Sequence, residues 1–465
     1  MSVPGLIAVI DIGKTNAKVA LVDLSTRSEV AVRRRPNTVL TSGPYPHYDI
    51  DGLWTFILSS LSELGSTGDI SAITVTTHGA SAALLDASGN LVAPVLDYEH
   101  DGPDSTARRY DAVRPAFEET GSPRLALGLN LGAQLFWQFD TFPDIRRDTR
   151  TIVTYPQYWV FRLTGRAVNE VTSLGCHTDL WCPAEARFSS LVEAQGWSAL
   201  MAPLAKATDQ IGTLLPEVAE ACGLPSGIPV YGGIHDSNAS LFAHIVSRKA
   251  PFAVVSTGTW VISMAIGGQD VTLDPARDTL INVNAFTEPV PSARFMGGRE
   301  FETINQGRAH QFDACDIDEV LRRRAMLLPS VEQRSGPYPG RAHQWTVEEA
   351  TLSDGERYVA LSFYLALMTV TGLEIAGALG EILVEGPFGD NRAYLDMLAS
   401  ASGRPVRAVA GTGTSIGAAM LTRPRPATPP APSETPARSG DGRLADYANL
   451  WREQVKTAPH NIQSD

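Results

Sequence analysis

Cysteine is scarce in this chain: four thiols in 465 residues, Cys176, Cys182, Cys222 and Cys315. They form no CxxC pair and no metal-ligand pattern with histidine, which argues against a disulfide framework or a zinc site and leaves reduced, buried thiols as the expectation. Basic residues are also in deficit. The 38 Lys and Arg face 51 Asp and Glu, a net charge of −13, so the broad positive field that nucleic acid or an anionic membrane surface would need is missing. One local pocket can still hold an anionic nucleotide. A long hydrophobic run is lacking too: Tyr358 to Leu373 carries no charge but is short of a span, and Glu356 and Glu374 bracket it, so a buried helix is expected and no membrane partner. Two phosphate-binding signatures are missing, the GxxxxGK[ST] loop and a GxGxxG opening a helix after the first strand, which disfavours P-loop and Rossmann readings. The opening MSVPGLIAVIDIG has no basic stretch and carries an acid inside its apolar run. It reads as a strand rather than a secretion signal, and a cytoplasmic location is expected.

What is present is a folding composition, 43% hydrophobic and 19% charged, over a length that calls for two domains. LIAVIDIG (Leu6 to Gly13) and AKVALVDL (Ala17 to Leu24) are apolar runs of strand length around a GKTN turn, which predicts a β-hairpin opening a sheet. Short β-rich runs continue from Asp69 to Tyr98, and Tyr158 to Leu163 and a stretch near Leu191 to Leu204 have helical spacing. FAVVSTGTWVISMAI (Phe252 to Ile266) repeats the form of the first hairpin and marks a second start, giving domains at 1–245 and 246–465. Glu381 to Val406 reads as strand, Gly-rich turn and helix, and GTGTSIGAAML (Gly411 to Leu421) opens another helix with small residues. The Pro-rich stretch 423–442 is expected to be an exposed linker, followed by a closing amphipathic helix over 444–455.

Three places could carry chemistry. In DIGKTNAK, Asp11 ends a strand and Gly13, Lys14, Thr15 and Asn16 make the turn, with Lys18 beside it. Backbone N–H groups there can form an anion nest, either lysine can offset phosphate charge, and Asp11 can hold magnesium through water; an ordinary hairpin with surface lysines fits equally. STGTW (Ser256 to Trp260) offers hydroxyls and amides to a terminal phosphate, or is simply a turn. In GGIHDSNASLFAH (Gly232 to His244), Asp236 lies just past a strand at the start of a helix. It is either a helix cap or a carboxylate poised to take a hydroxyl proton, and His235 reads as structural. The turn at Gly386 and Gly389 could let a flat purine lie against the backbone.

Taken in order, the Asp-Gly hairpin, the His78-Gly79 strand end, the Leu-Thr-Gly helix end (Tyr155 to Gly165), GGxxD, STGTW, the late Gly-rich turn and the small-residue helix resemble the FGGY carbohydrate kinases over almost the whole chain. The resemblance is nearest to the rhamnulose and fuculose kinases. It implies an α/β fold of two actin-like (ribonuclease H-like) ATPase domains around a central cleft. It further implies ATP-dependent phosphorylation of a ketose such as L-fuculose, L-rhamnulose or a ketopentose, with Mg2+. Asp236 becomes the catalytic base, also touching the sugar, and Asp11 the metal residue. The ATP contacts become Gly13, Lys14, Thr15, Asn16, Lys18, Thr257, Gly258, Thr259, Gly386, Gly389 and Asn391. The sugar contacts become His78, Asn130, Glu99 and His100. The partners implied are a small-molecule sugar and ATP, and a homodimer is compatible with the chain. Two departures stand out. Tyr98-Glu99-His100-Asp101 replaces the family's usual Trp-Asn-Asp-Arg or Tyr-Arg-Asp, and GPFGDN (Gly386 to Asn391) replaces GGGSxN. The run GGREFE (297–302) has no assigned counterpart. A sugar-binding regulator without turnover and an actin-like ATPase with another substrate are the rival readings.

Overall fold

The computed structural model describes residues 5–308, 311–409, 413–423, 434–437 and 441–457. The chain forms two compact units, one of Met1–Arg248, Ile281–Pro289 and Thr412–Pro429, the other of Lys249–Leu280, Val290–Gly411 and Pro430–Asp465. The division is therefore not two continuous halves meeting at 245/246. The helix Gly413–Met420 returns to the first unit because its small, buried residues pack against the helix Asp236–Ser247. Gly411 and most of the expected linker 423–442 lie outside the described residues.

In the first unit, β1 (Leu6–Ile12), β2 (Asn16–Asp23) and β3 (Ser28–Pro36) form an antiparallel meander. On the other side of β1, β4 (Ile70–Thr77) and β5 (Pro229–Tyr231) run parallel to it. Successive side chains of β1 point to opposite faces, and both faces are covered. Ala8, Ile10 and Ile12 pack with Leu53, Ile57 and Leu61 of the helix Ile50–Gly65, while Ile7 and Val9 join Phe242 and Ala243 of the helix Asp236–Ser247. That is why the run is apolar without alternation.

The second unit repeats the order. β6 (Phe252–Thr257), β7 (Val261–Ile266) and β8 (Pro289–Phe295) are antiparallel, and β9 (Glu381–Glu385) and β10 (Val406–Val409) continue in parallel beside β6. Three antiparallel strands followed by two parallel ones, built twice, are the actin-like, ribonuclease H-like arrangement. The uncharged run lies within the helix Asp354–Ile375, buried from Arg357 to Leu373 in the core of this unit. Among the described residues it is the one helix long and apolar enough to cross a membrane. A capping box of Ser353 and Glu356 starts it, which satisfies two N–H groups that would otherwise be orphaned.

Two local expectations change. Helix forms over Ser190–Ala194 only, because the chain turns at Gln195-Gly196 and does not resume the helix toward Leu204. Cys176, Cys182 and Cys222 are buried and form no disulfide, whereas Cys315 is exposed in the first turn of the helix Ala314–Arg323.

Candidate active site

The parallel strands of the first unit end together, and their ends carry the acids and imidazoles. In register, Asp11 stands beside Thr76 and Ile12 beside Thr77. His78 follows directly, its N–H held by the Ile12 carbonyl at 2.9 Å. The short strand Ile234–His235 pairs with Thr76 and Thr77 on the other side of β4, and Asp236 opens the helix that follows. Ligands of open α/β sheets gather at these carboxyl ends because loops and helix starts converge there.

Asp236 is half-buried, and its described contacts converge on Oδ1: the Ser237 N–H at 2.6 Å, the Ser237 hydroxyl at 3.3 Å and His235 Nε2 at 3.2 Å. Burial pushes its carboxyl above the usual range, offset in part by His78 and by the Ser237 hydrogen bonds. A carboxylate raised in this way is a better proton acceptor than a fully solvated one. His235 is held neutral, its pKa lowered to about 4 by burial. It braces Asp236, in keeping with a structural role.

His78 is also lowered to about 4 by burial. Its Nδ1 lies 2.8 Å from the Gly79 carbonyl, which can only accept, so Nδ1 carries the proton and Nε2 is a bare acceptor. That Nε2 is buried and has no hydrogen-bond partner among the described residues. The ring stands among Tyr48, Tyr98 and Tyr155, at centroid distances of 4.9, 5.3 and 5.0 Å. A buried acceptor left bare costs about 1–3 kcal/mol, so this nitrogen fits a site that completes itself with a ligand hydroxyl.

Lys14 does not stay over its own turn. Its Nζ bonds Asp97 Oδ1, lies 3.2 Å from Glu99 Oε2, and sits 4.8 Å from the centre of the Tyr98 ring. Asp97 is buried and also receives the Tyr48 hydroxyl and the Glu99 N–H, each at 3.2 Å. Sequence reasoning missed Asp97. Its signal was available, since an acid directly after the apolar Val95-Leu96 repeats the pattern that singled out Asp11.

Asp11 is 9% exposed, with Oδ2 receiving the Thr414 hydroxyl at 2.5 Å and Lys18 Nζ at 3.3 Å. Burial raises its pKa against Lys18 and Thr414, and the charge of Asp236 raises it further. No three His, Cys, Asp or Glu side chains gather as metal ligands among the described residues. A single carboxylate still fits magnesium that arrives with a nucleotide, because that ion keeps several waters and takes most of its charge balance from phosphates.

One expected sugar contact, Asn130, is engaged inside the fold. Asn130 has no exposed surface and its amide is spent inside the fold: Oδ1 accepts the Leu125 N–H at 2.8 Å, and Nδ2 donates to the Pro123 and His177 carbonyls at 3.0 and 2.8 Å. It clamps loops together and leaves nothing for a ligand. His100 packs against Trp137 at 5.2 Å with Nδ1 3.5 Å from Asp101, while Glu99 is exposed and linked to Lys14.

In the second unit the turn of STGTW is closed by the Gly258 N–H on the Trp260 carbonyl at 2.9 Å. Thr257 is turned inward, its hydroxyl donating to the Glu385 carbonyl at 2.5 Å and accepting the Phe388 N–H at 3.1 Å. It staples the hairpin to the Gly-rich turn, so its hydroxyl is unavailable to a phosphate; Thr259 is exposed. Gly386 has φ +85°, and a Cβ there would lie 2.0 Å from the Thr257 carbonyl. Asn391 is a helix cap, accepting the Tyr394 N–H and donating to Ser362 at 2.9 Å, and is likewise withdrawn from nucleotide contact. Gly389 is half-buried and Phe388 is buried against Phe301 and Tyr394. Phe301 belongs to GGREFE, which now acquires a place. A Cβ at Gly298 would meet the Gly258 carbonyl at 2.2 Å, its N–H reaches the Thr259 carbonyl, and Glu300 is buried with the Glu332 N–H and the Tyr364 hydroxyl on it. The departure GPFGDN and the unassigned run GGREFE are therefore neighbours.

Two family models match the chain, one over each part. Residues 6–243 match the model of the FGGY family of carbohydrate kinases, N-terminal domain, and 249–430 that of carbohydrate kinase FGGY, C-terminal domain. A carbohydrate kinase from Novosphingobium aromaticivorans has a solved structure that superposes with a TM-score of 0.89 at 38% identity, over 96% of this chain and 100% of that one. A xylulose kinase from Lactobacillus acidophilus shares the fold at a TM-score of 0.79 and 15% identity, with 97% of each chain covered. The L-fuculokinase of Salmonella typhi is 27% identical over 278 residues, 57% of each protein, so the chain spans little more than half the length of that curated relative.

Proposed function

From the membership of this chain in the FGGY family of carbohydrate kinases, we propose that it transfers the terminal phosphoryl group of ATP to a hydroxyl of a ketose, with Asp236 as the base. One observation carries the reading. A raised carboxyl at Asp236 and a bare imidazole nitrogen at His78 lie together at the carboxyl ends of the parallel strands. The acceptor oxygen attacks the γ-phosphorus, its proton passes to Asp236, and the bond to the bridging oxygen breaks as ADP leaves with the electron pair. Little else is asked of the protein than positioning and charge stabilisation. His78 Nε2 accepts a second hydroxyl of the acceptor.

Magnesium, bound with the nucleotide, would offset phosphate charge, and Asp11 is the residue to hold it through water. Lys18, beside Asp11, lies nearer that role than Lys14, which joins Asp97 on the acceptor side. The backbone proposed for phosphate contact in the first unit is the turn at Thr15; in the second unit, taken by itself, the turn at Thr259 with Gly386 and Gly389 is the backbone proposed for nucleotide contact. L-Fuculose is the first candidate acceptor, on the match to an L-fuculokinase, with L-rhamnulose, on the match to a rhamnulokinase, and a ketopentose such as D-xylulose next. We further propose a cytoplasmic location; the long apolar helix is a core helix of the second unit.

The experiment is ATP consumption against L-fuculose, L-rhamnulose, D-xylulose and glycerol, for wild type and Asp236→Asn. A ketose should be preferred, because glycerol leaves polar groups of the site unpaired. Asp236→Asn should lose turnover by about a hundredfold while still binding both ligands. Near-normal turnover in the folded variant reduces Asp236 to a cap, and glycerol as best substrate removes the ketose reading.

A further inference from the structure

Behind Asp236 the first unit holds an acid that phosphoryl transfer leaves unused. Glu170 has no exposed surface and stands before the short helix Val171–Leu174. Its Oε2 accepts the Thr172 N–H at 3.0 Å and the Thr172 hydroxyl at 2.5 Å. Its Oε1 is buried with no hydrogen-bond partner among the described residues. A half-satisfied buried carboxyl is an expensive way to cap four residues, since a serine would serve. Burial pushes its pKa up to about 8, against the hydrogen bonds from Thr172 and the Ser173 N–H.

What the acid does to Thr172 matters next. With its proton committed to Glu170, the Thr172 hydroxyl can only accept from other groups, and it accepts the His235 N–H at 3.0 Å. His235 immediately precedes Asp236, and its residue is paired with Thr77 at the end of β4. The Ile234–His235 peptide, one residue ahead of Asp236, is thus gripped from the sheet on one side and from Thr172 on the other. Gln157 adds a third hold, donating to the Gly232 carbonyl at 2.9 Å at the start of the same turn.

We propose that Glu170 and Thr172 are positioning residues for the base: Glu170 orients the Thr172 hydroxyl, and that hydroxyl fixes the His235 N–H and with it the direction of the Asp236 carboxylate. This rests on the reading of Asp236 as the base. Small displacements of a catalytic group can be felt strongly in turnover, so the effect belongs in kcat rather than in KM.

The test is steady-state kinetics of Thr172→Val and Thr172→Ser, each alone and in the Asp236→Asn background, using the ketose of the three above that turns over fastest. Valine keeps the shape and removes the hydroxyl; serine keeps the hydroxyl. Thr172→Val should lower kcat about tenfold or more with both KM values near wild type, and Thr172→Ser should restore it. In the Asp236→Asn background Thr172→Val should change the residual rate by less than about twofold, because a positioning residue has no base left to position. Glu170→Gln, nearly isosteric, should give a smaller loss of the same kind. Wild-type kcat in Thr172→Val overturns the proposal, and so does a loss confined to KM or a loss that persists in full without the Asp236 carboxylate. Wild-type turnover in Asp236→Asn alone overturns the base assignment instead, so the two failures are told apart.

Discussion

The hairpin of β1 and β2 and the hairpin of β6 and β7 occupy the same place in two like sheets, yet their turns are held by different forces. Charge holds the first. Lys14 is drawn to Asp97 and Glu99, Lys18 to Asp11 and Glu29, and Asn37 Nδ2 ties the Gly13 carbonyl at 2.8 Å. Crowded backbone holds the second. Gly386 and Gly298 press onto the carbonyls of Thr257 and Gly258, and the Thr257 hydroxyl joins hairpin to turn. The glycine inside the second motif is the less constrained one: a Cβ at Gly258 would meet nothing nearer than 3.9 Å. A charged turn can respond to a ligand and to salt, while a turn wedged by neighbouring backbone presents a fixed shape.

The largest break in this comparison is expected from Gly386→Ala. The left-handed backbone and the overlap with the Thr257 carbonyl together should cost about 2–4 kcal/mol, whereas Gly258→Ala should stay within about 1 kcal/mol. Urea unfolding of the two variants side by side measures this, and equal losses would show that the second turn is not held by its neighbours.

Next comes acid sensitivity confined to the charged side. His78 is held neutral in the fold with a pKa lowered to about 4, against 6.5 for the unfolded chain. A depressed folded value means that the unfolded state binds the extra proton first, so this stability is full above pH 6.5 and is lost as pH falls toward 4. Between pH 6.5 and 5 the wild type should lose about 2 kcal/mol relative to His78→Gln, read from urea midpoints at each pH. Parallel curves for the two proteins would mean that His78 is not held neutral.

A sharper use of the comparison is Lys14→Met. If Lys14 belongs with Asp97, KM for the ketose should rise about tenfold with KM for ATP little changed. A rise for ATP alone would return the lysine to the phosphates. The smallest effect is expected for Thr257→Val, which removes one hydroxyl and leaves the Phe388 N–H bare, at about 1–2 kcal/mol of stability with no preference between ligands. Thermal unfolding and KM for both substrates check it together.

Legibility differed along the chain for physical reasons. The hairpins were readable because a strand buried on both faces must be an unbroken apolar run, and the acid closing β1 stood out against it. Helix existence was readable at Tyr155–Thr164, where the left-handed Gly165 supplies the stop, and unreadable past Ala194, where apolar residues fill a packed loop rather than one helix face. Asn130 and Asn391 were expected as ligands on the resemblance alone, and an amide has the same letter in the sequence whether it bonds a ligand, a loop carbonyl or a helix N-terminus. Glu170 carried no signal at all, since nothing in its neighbours foretells burial without a partner.

By itself the sequence determined the strand runs, the repeated hairpin and the placing of Asp11, His78 and Asp236 at strand ends, because burial and side-chain alternation act on near neighbours in the chain. The tertiary structure alone decided which polar groups were left over. Whether His78 Nε2 is bare, whether Asn130 is spent and whether Lys14 faces phosphate or Asp97 depend on partners tens of residues away. A hydrogen bond, once made inside the fold, cannot be offered again to a ligand.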